Sequence, residues 1–320
     1  CTIAIIPWEI YMFYGDSKLL ADCYENIKRY VNYVDRTSPD HLTTWWRGDW
    51  VPVKSRSDKE LTSSVYFYVD TKILAQAARL FNKQDDYVYY SGLAEKIKAA
   101  INDKFFDKAA GIYASGTQTE LSVPLQWGVV PDDMVQKVAD NLAKKVEEAG
   151  FHLDVGVLGA KALLNALGRN GHIETAYKVA VQDKYPSWGW WIVNGATTLL
   201  ENWDLQAERD ISDNHMMFGE IGGWFFKGLG GIYPDPEQPG FKNIILRPNF
   251  IKGLERFEAK HKSPYGMIVS KWEIKRKNVV YDVEVPANST ATLYLPDYVK
   301  GEKVVKLEAG KHSLKLQFNK

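Results

Sequence analysis

The chain has 320 residues, 45 % of them hydrophobic, enough to bury one large core or two unequal ones. Lysine plus arginine number 40 and aspartate plus glutamate 40, a balance that argues against nucleic acid or an anionic membrane as the main partner, since either would call for a basic excess. No apolar run reaches the roughly 18 residues of a membrane-spanning helix, no secretory leader pattern is visible, and the two cysteines, Cys1 and Cys23, fit neither a disulfide framework nor a metal-binding spacing.

Residues 2–14 predict an apolar helix, which Pro7 permits if the helix starts close to it. Gly15 and Asp16 make a turn, with Asp16 or Ser17 as a helix cap, and Leu20, Tyr24, Ile27, Val31 and Val34 then line one helical face. Residues 36–60 mix proline, glycine, tryptophan and charge without a period, which predicts a long loop of the kind that carries function. Helical spacing returns at 62–81 and 84–104, and FFDKAAGIYAS reads as a small hairpin-like connection. Further helices are expected at 117–127, 132–149, 157–168, 171–182, 191–202 and 214–229. Pro234, Pro236 and Pro239 end the helical part, and from Phe241 onward apolar and polar residues alternate between closely spaced turns. That pattern predicts an antiparallel β-sandwich. The expected division is a helical-hairpin domain over 1–232 and a β domain over 233–320. Helices paired by short and long connections in turn suggest an (α/α)6 toroid, which needs six hairpins. About one hairpin is unaccounted for, and the chain opens at Cys1 inside an apolar segment, so a missing N-terminal portion of the same protein is expected upstream.

In a helical toroid the loops at one end make the pocket, and three aromatic and acidic clusters fall at predicted helix ends. They are WWRGDW (Trp45 to Trp50), YPSWGWW (Tyr185 to Trp191) and the stretch from Glu201 to His215. Aromatic faces stack on the C–H faces of sugar rings, although tryptophan is also plain core bulk, and 11 Trp and 18 Tyr leave room for both uses. Glu201 lies among Leu199, Leu200 and Trp203, where desolvation would raise its pKa and suit it to act as a general base on water. The alternative is a surface glutamate paired with Arg209. His215 is either a hydrogen-bond donor to a sugar hydroxyl or a structural residue at a helix start. Trp50 could face a sugar ring with Asp49 on a hydroxyl, and Trp188 and Trp190 could shape the pocket. Asp154, Asp204 and Asp213 are explained equally well by solvation. No second histidine or cysteine stands at ligand spacing beside His215, so neither a metal nor an organic cofactor is expected. In the β domain, Tyr265, Trp272 and Tyr281 are either packing residues or a sugar-binding face, and Gly266 and Asn288 read as turn residues.

YPSWGWWIVNGATTLLENW, then SDNHMMFGEIGGW, then GIYPDPEQPGFKNIILRPNF resemble the inverting α-L-rhamnosidases with an (α/α)6-barrel catalytic domain. PWEIYMFYGD, GDWVP, GTQTELSVPLQWGVVP and HLDVGVLGAKALLNAL match in the same order, so the resemblance covers nearly the whole chain. It implies hydrolysis of terminal non-reducing α-L-rhamnosyl residues, with a rhamnose-containing oligosaccharide, polysaccharide or glycoside as the substrate. By position it implies Glu201 as general base, His215 as a rhamnose contact and Trp50 as a wall of the sugar pocket. Leu200 stands where the family usually has tryptophan, and the loop from Glu201 to His215 is shorter than usual.

The family's general acid lies in a segment upstream of the helix carrying PWEIYMFYGD, and no such segment occurs in this chain. The acid is therefore expected before Cys1. Two alternatives stay open: a non-catalytic sugar-binding fragment, with Asp49 the first in-chain suspect if the chain alone turns over, and another (α/α)6-barrel glycosidase with a different sugar. A periplasmic or secreted setting is favoured over a cytoplasmic one, and a homodimer is compatible with the sequence.

Overall fold

The computed structural model describes residues 2–45 and 47–319. Cys1, on which the expectation of an upstream portion rests, and Trp46 lie outside the described residues. The chain divides into two compact units, one formed by Cys1–Ile5 and Ala21–Ile221, the other by Ile6–Leu20 and Gly222–Lys320. The grouping of Ile6–Leu20 with the C-terminal strands has no counterpart in the periodicity of the sequence.

The helices are α1 (Thr2–Tyr14), α2 (Lys18–Thr37), α3 (Lys59–Leu80), α4 (Gln84–Phe105), α5 (Gln118–Trp127), α6 (Val135–Glu148), α7 (Val157–Arg169), α8 (Ile173–Ala180), α9 (Trp188–Val193) and α10 (Glu220–Trp224). Pro7 sits well inside α1, which begins five residues before it, so the ring nitrogen cannot return a hydrogen bond to the carbonyl four residues back. In the helical unit burial alternates from helix to helix. α3 is buried without a break from Leu61 to Thr71, α5 from Gln118 to Pro124, and α7 at all but one position from Leu158 to Leu167. Helices α4 and α6 bury one stripe each, Tyr90, Leu93, Ala94, Ile97 and Ile101 in the first, Val138, Ala139, Leu142, Ala143 and Val146 in the second. A helix buried all round belongs to an inner layer and a one-faced helix to an outer layer. Inner α3, α5 and α7 each pack against the outer helix that follows, α4, α6 and α8, and α5 packs against both inner neighbours. This is the double layer of a helical-hairpin toroid.

Connections alternate as well. Residues 81–83 and 170–172 join inner to outer helices tightly, whereas 38–58, 106–117 and 149–156 lead from an outer helix into the next inner one. In an up-and-down arrangement all connections of the second kind gather at one end, at the N-termini of the inner helices. Capping fixes the starts of α3, α5 and α9. Asp58 accepts from the Leu61 N–H at 2.9 Å at the start of α3, Thr117 and Glu120 form a capping box on α5, and the Ser187 hydroxyl accepts from the Trp190 N–H at 2.9 Å on α9. The hairpin expected in FFDKAAGIYAS is present as β1 (Phe106–Asp107) paired with β2 (Ile112–Tyr113).

Two predicted helices take a different form. The helix expected over 191–202 ends at Val193, and residues 194–215 are irregular. The helix expected over 214–229 is broken into a 3₁₀ turn at Met216–Phe218, α10, and a π turn at Phe225–Leu229. Gly195 in the left-handed region (φ 91°) closes α9, and Gly219, Gly222, Gly223 and Gly228 weaken the second segment, since glycine is a poor helix former.

In the second unit, β5 (Arg256–Ser263), β6 (Gly266–Lys275), β7 (Asn278–Val285) and β10 (Gly310–Gln317) form an antiparallel sheet in the order β10-β7-β6-β5. β3 (Ile232–Pro234), β4 (Asn243–Leu246), β8 (Thr290–Tyr294) and β9 (Val304–Leu307) form the other, in the order β3-β4-β8-β9. The expected sandwich is there, but one pair, β4 with β8, runs parallel. Ile244, Leu246, Ala291 and Leu293 from one sheet share a core with Ile268, Trp272, Val279 and Tyr281 from the other. Trp272 and Tyr281 are fully buried, with the Trp272 indole N–H on the Leu229 carbonyl at 3.1 Å, so packing is their use rather than a sugar face. Asn288 (φ 64°) occupies a turn, as expected, whereas Gly266 (φ 133°) is the first residue of β6, paired with Ser263 just after the turn at 264–265.

His261 on β5 sits between Phe13 and Phe241, with ring centroids 6.1 and 4.7 Å away, and its burial lowers its pKa from 6.5. For a base whose folded-state pKa is depressed, the stability is complete above the unfolded pKa and falls as pH drops from about 6.5 toward the folded value. The expected result is a larger drop in melting temperature of this unit between pH 7.5 and pH 5.5 for the natural chain than for His261→Phe. Equal drops in the two proteins would exclude it.

Candidate active site

At the loop end of the helical unit, two irregular strands of chain lie side by side. The Glu201 N–H donates to the Ser212 carbonyl at 3.0 Å and the His215 N–H donates to the Leu199 carbonyl at 2.9 Å, while the Thr198 hydroxyl donates to the Asp213 carbonyl. These backbone bonds tie 198–201 to 212–215 and so set Glu201 and His215 on two adjacent stretches of chain. Glu201 is half-buried, with Leu200 and Trp203 buried on the same stretch. Its Oε2 accepts from the Ser212 N–H at 3.3 Å. Among the described residues Glu201 makes no ion pair with Arg209, and its Oε1 has no hydrogen-bond partner, which leaves that oxygen able to accept from water. The His215 Nδ1 accepts from the Met217 N–H at 3.2 Å. A neutral imidazole that accepts at Nδ1 carries its proton on Nε2, so Nε2 is the donor left for a ligand.

Behind this pair lies an aromatic block. Trp203 stacks on Trp191 with centroids 4.7 Å apart and planes at 16°, meets Trp188 edge-on at 5.2 Å and lies 4.2 Å from the Phe218 ring. All three indole N–H groups are satisfied internally: Trp188 on the Phe218 carbonyl at 3.0 Å, Trp191 on Trp203 at 3.2 Å and Trp203 on Val155 at 2.8 Å. Trp188 is 4 % exposed, so it supports the site from beneath and does not present a face to a sugar. Trp190 is half-buried and meets the Tyr185 ring edge-on at 6.3 Å, on the exposed side of α9. Trp50 is also half-buried, with the Arg47 guanidinium 5.0 Å from its ring centroid.

Asp49 does something other than the sugar-hydroxyl contact expected of it. It is 9 % exposed, and its two oxygens accept from the Thr119 hydroxyl at 2.5 Å and from the N–H groups of Gly156 at 2.7 Å, Leu158 at 2.7 Å and Gly159 at 3.1 Å. Burial pushes its pKa up, with the four donors pulling it back. Its carboxylate therefore faces into the protein and anchors the 38–58 loop on the first turn of α7. Asp154 is used similarly, accepting from Lys54 and Ser55 of the same loop, and the Asp204 carboxylate caps the Gln206 N–H at 2.9 Å. Glu120, which no reading of the sequence singled out, ties Asp58, Ser115 and Thr117 together through its carboxylate. The T-x-x-E spacing at Thr117 was the available signal for the α5 cap, and Ser187 just before WGWW the signal for the α9 cap. No group of three or more histidine, cysteine, aspartate or glutamate side chains suited to a metal ion occurs among the described residues.

Residues 1–229 match the bacterial α-L-rhamnosidase six-hairpin glycosidase domain, and 231–310 match the bacterial α-L-rhamnosidase C-terminal domain. The chain belongs to the bacterial α-L-rhamnosidase family. Its helical toroid and β-sandwich are the two domains that those matches describe. An α-L-rhamnosidase from Formosa agariphila is 30 % identical over 313 residues, covering 92 % of this chain and 33 % of its own length. The solved α-L-rhamnosidase from Dictyoglumus thermophilum superposes with a TM-score of 0.90 at 32 % identity, over 98 % of this chain and 39 % of that one. The Streptomyces avermitilis α-L-rhamnosidase, solved in complex with L-rhamnose, gives 0.88 at 27 % identity over 99 % and 32 %. The chain thus spans about a third of the length of the rhamnosidases it matches.

Proposed function

We propose that the protein carrying this chain hydrolyses terminal non-reducing α-L-rhamnosyl residues with inversion, and that Glu201 is the general base. The observation that supports this reading is the backbone pairing of 198–201 with 212–215, two adjacent stretches of which one carries a carboxylate with an open Oε1 and the other an imidazole with its Nε2–H available. Oε1 takes a proton from water as the water oxygen attacks the anomeric carbon, on the face opposite the departing oxygen. His215 donates to a ring hydroxyl, and Trp50 and Trp190 bound the ring.

An inverting glycosidase also needs a protonated carboxyl on the leaving oxygen, about 6.5–9.5 Å from the base. Asp49, the in-chain suspect, has its carboxylate engaged with four internal donors. The proton donor is assigned instead to a part of the protein outside these 320 residues, in keeping with a chain that spans about a third of its relatives. The same observation favours a second reading for the chain by itself, namely that it binds sugar without hydrolysing it.

The test uses the full-length protein on an aryl α-L-rhamnoside, followed by proton NMR. β-L-rhamnose is expected as the first-formed anomer, before mutarotation. First appearance of the α anomer would exclude inversion, and turnover confined to other sugars in a panel of aryl glycosides would exclude the rhamnosyl specificity. Turnover by the 320-residue chain alone would remove the need for an outside acid.

A further inference from the structure

The buried carboxylate of Asp49 joins the two walls of the candidate site. It draws the Gly48–Asp49–Trp50 turn onto α5 through Thr119 and onto α7 through three consecutive-turn N–H groups, and the adjacent Trp50 carbonyl accepts from the Val157 N–H at 2.9 Å. The approach is close enough to require glycine. A Cβ on Gly156 would run into the Trp50 and Asp49 carbonyl oxygens, and one on Gly159 into the Thr119 hydroxyl. The residue next to this seat, Val155, accepts the Trp203 indole N–H at 2.8 Å. Trp203 stands two residues beyond Glu201 and is wedged in the indole block. One short stretch, 155–159, therefore holds Trp50 from one side and the Glu201 segment from the other.

We infer that Asp49 is a positioning residue for the reaction, setting the separation between the Trp50 wall and the Glu201 base through the 155–159 seat. The inference rests on the reading of Glu201 as base. A carboxylate is needed for the task, because it offers acceptors only, whereas an asparagine would turn an NH2 group toward at least one of the four donors. A displacement of about 1 Å at a reacting centre is worth about 100-fold in rate.

The experiment compares Asp49→Asn, Thr119→Val and Glu201→Gln in the full-length protein on an aryl α-L-rhamnoside. Binding-competent sites are counted by calorimetric titration with L-rhamnose, so that kcat is expressed per competent site and loss of folded protein drops out. Asp49→Asn is expected to lower kcat by about 100-fold with a much smaller change in KM. Thr119→Val, which removes one of four donors, is expected to lower it several-fold at a full count of sites. An unchanged kcat per site in Asp49→Asn overturns the inference. If that variant does not fold, an unchanged kcat in Thr119→Val does so. Full activity in Glu201→Gln would instead remove the base assignment itself, so the two failures are distinguishable.

Discussion

Glu201→Gln in the full-length protein is expected to lower kcat on an aryl α-L-rhamnoside by about 10²–10⁴-fold, the usual contribution of a positioned general base, with KM and melting temperature nearly unchanged. The amide has the shape of the carboxylate, and its oxygen still accepts from the Ser212 N–H that now holds Oε2. The backbone bonds that place the segment, Glu201 to Ser212 and His215 to Leu199, do not involve the side chain. Glutamine cannot take a proton from water, so only the chemical step suffers. A kcat within tenfold of the natural protein would mean that another group activates the water.

The largest stability effect is expected at Trp203. Its side chain is fully buried, touches Trp188, Trp191 and Phe218, and gives its indole N–H to Val155. Truncation of a buried aromatic to alanine costs about 3–5 kcal/mol through lost transfer energy and the cavity left behind. For a unit of about 200 residues that corresponds to roughly a 10 °C fall in melting temperature. Trp190→Ala, at a half-buried ring on the exposed side of α9, is expected to cost far less in stability and to act on substrate binding. Thermal melts of the two variants check the contrast, and a Trp203→Ala midpoint within two degrees of the natural one would contradict it.

Fold and site were legible to different depths for identifiable reasons. The helices announced themselves through period and caps, because an outer helix such as α6 must keep one stripe apolar and an inner one such as α3 must be apolar or small nearly all round. Strand alternation exposed the sandwich, but the parallel pairing of β4 with β8 depends on partners far apart in sequence, which alternation does not encode. Glu201 and His215 are proposed for the site on residue type and order, which the sequence makes legible. Their actual support was not legible there, since it comes from an irregular pairing that replaces the second half of an expected helix. Asp49 and Trp188 were misplaced for one shared reason: both look like loop-end ligand residues, and both turn inward to donors or acceptors contributed from distant segments, Thr119 and 156–159 for one, Phe218 for the other. Trp50 and Trp190 keep partly exposed rings, so the same residue type serves two ends according to where its N–H finds a partner.

A crystal structure of the full-length protein with L-rhamnose bound is the most direct test of the claim that Glu201 is the water-activating base. It is expected to show the Glu201 carboxylate on a water molecule facing the anomeric carbon, the His215 Nε2 on a ring hydroxyl and Trp50 against the ring. A rhamnose ring bound elsewhere, with Glu201 contacting neither sugar nor such a water, would contradict it.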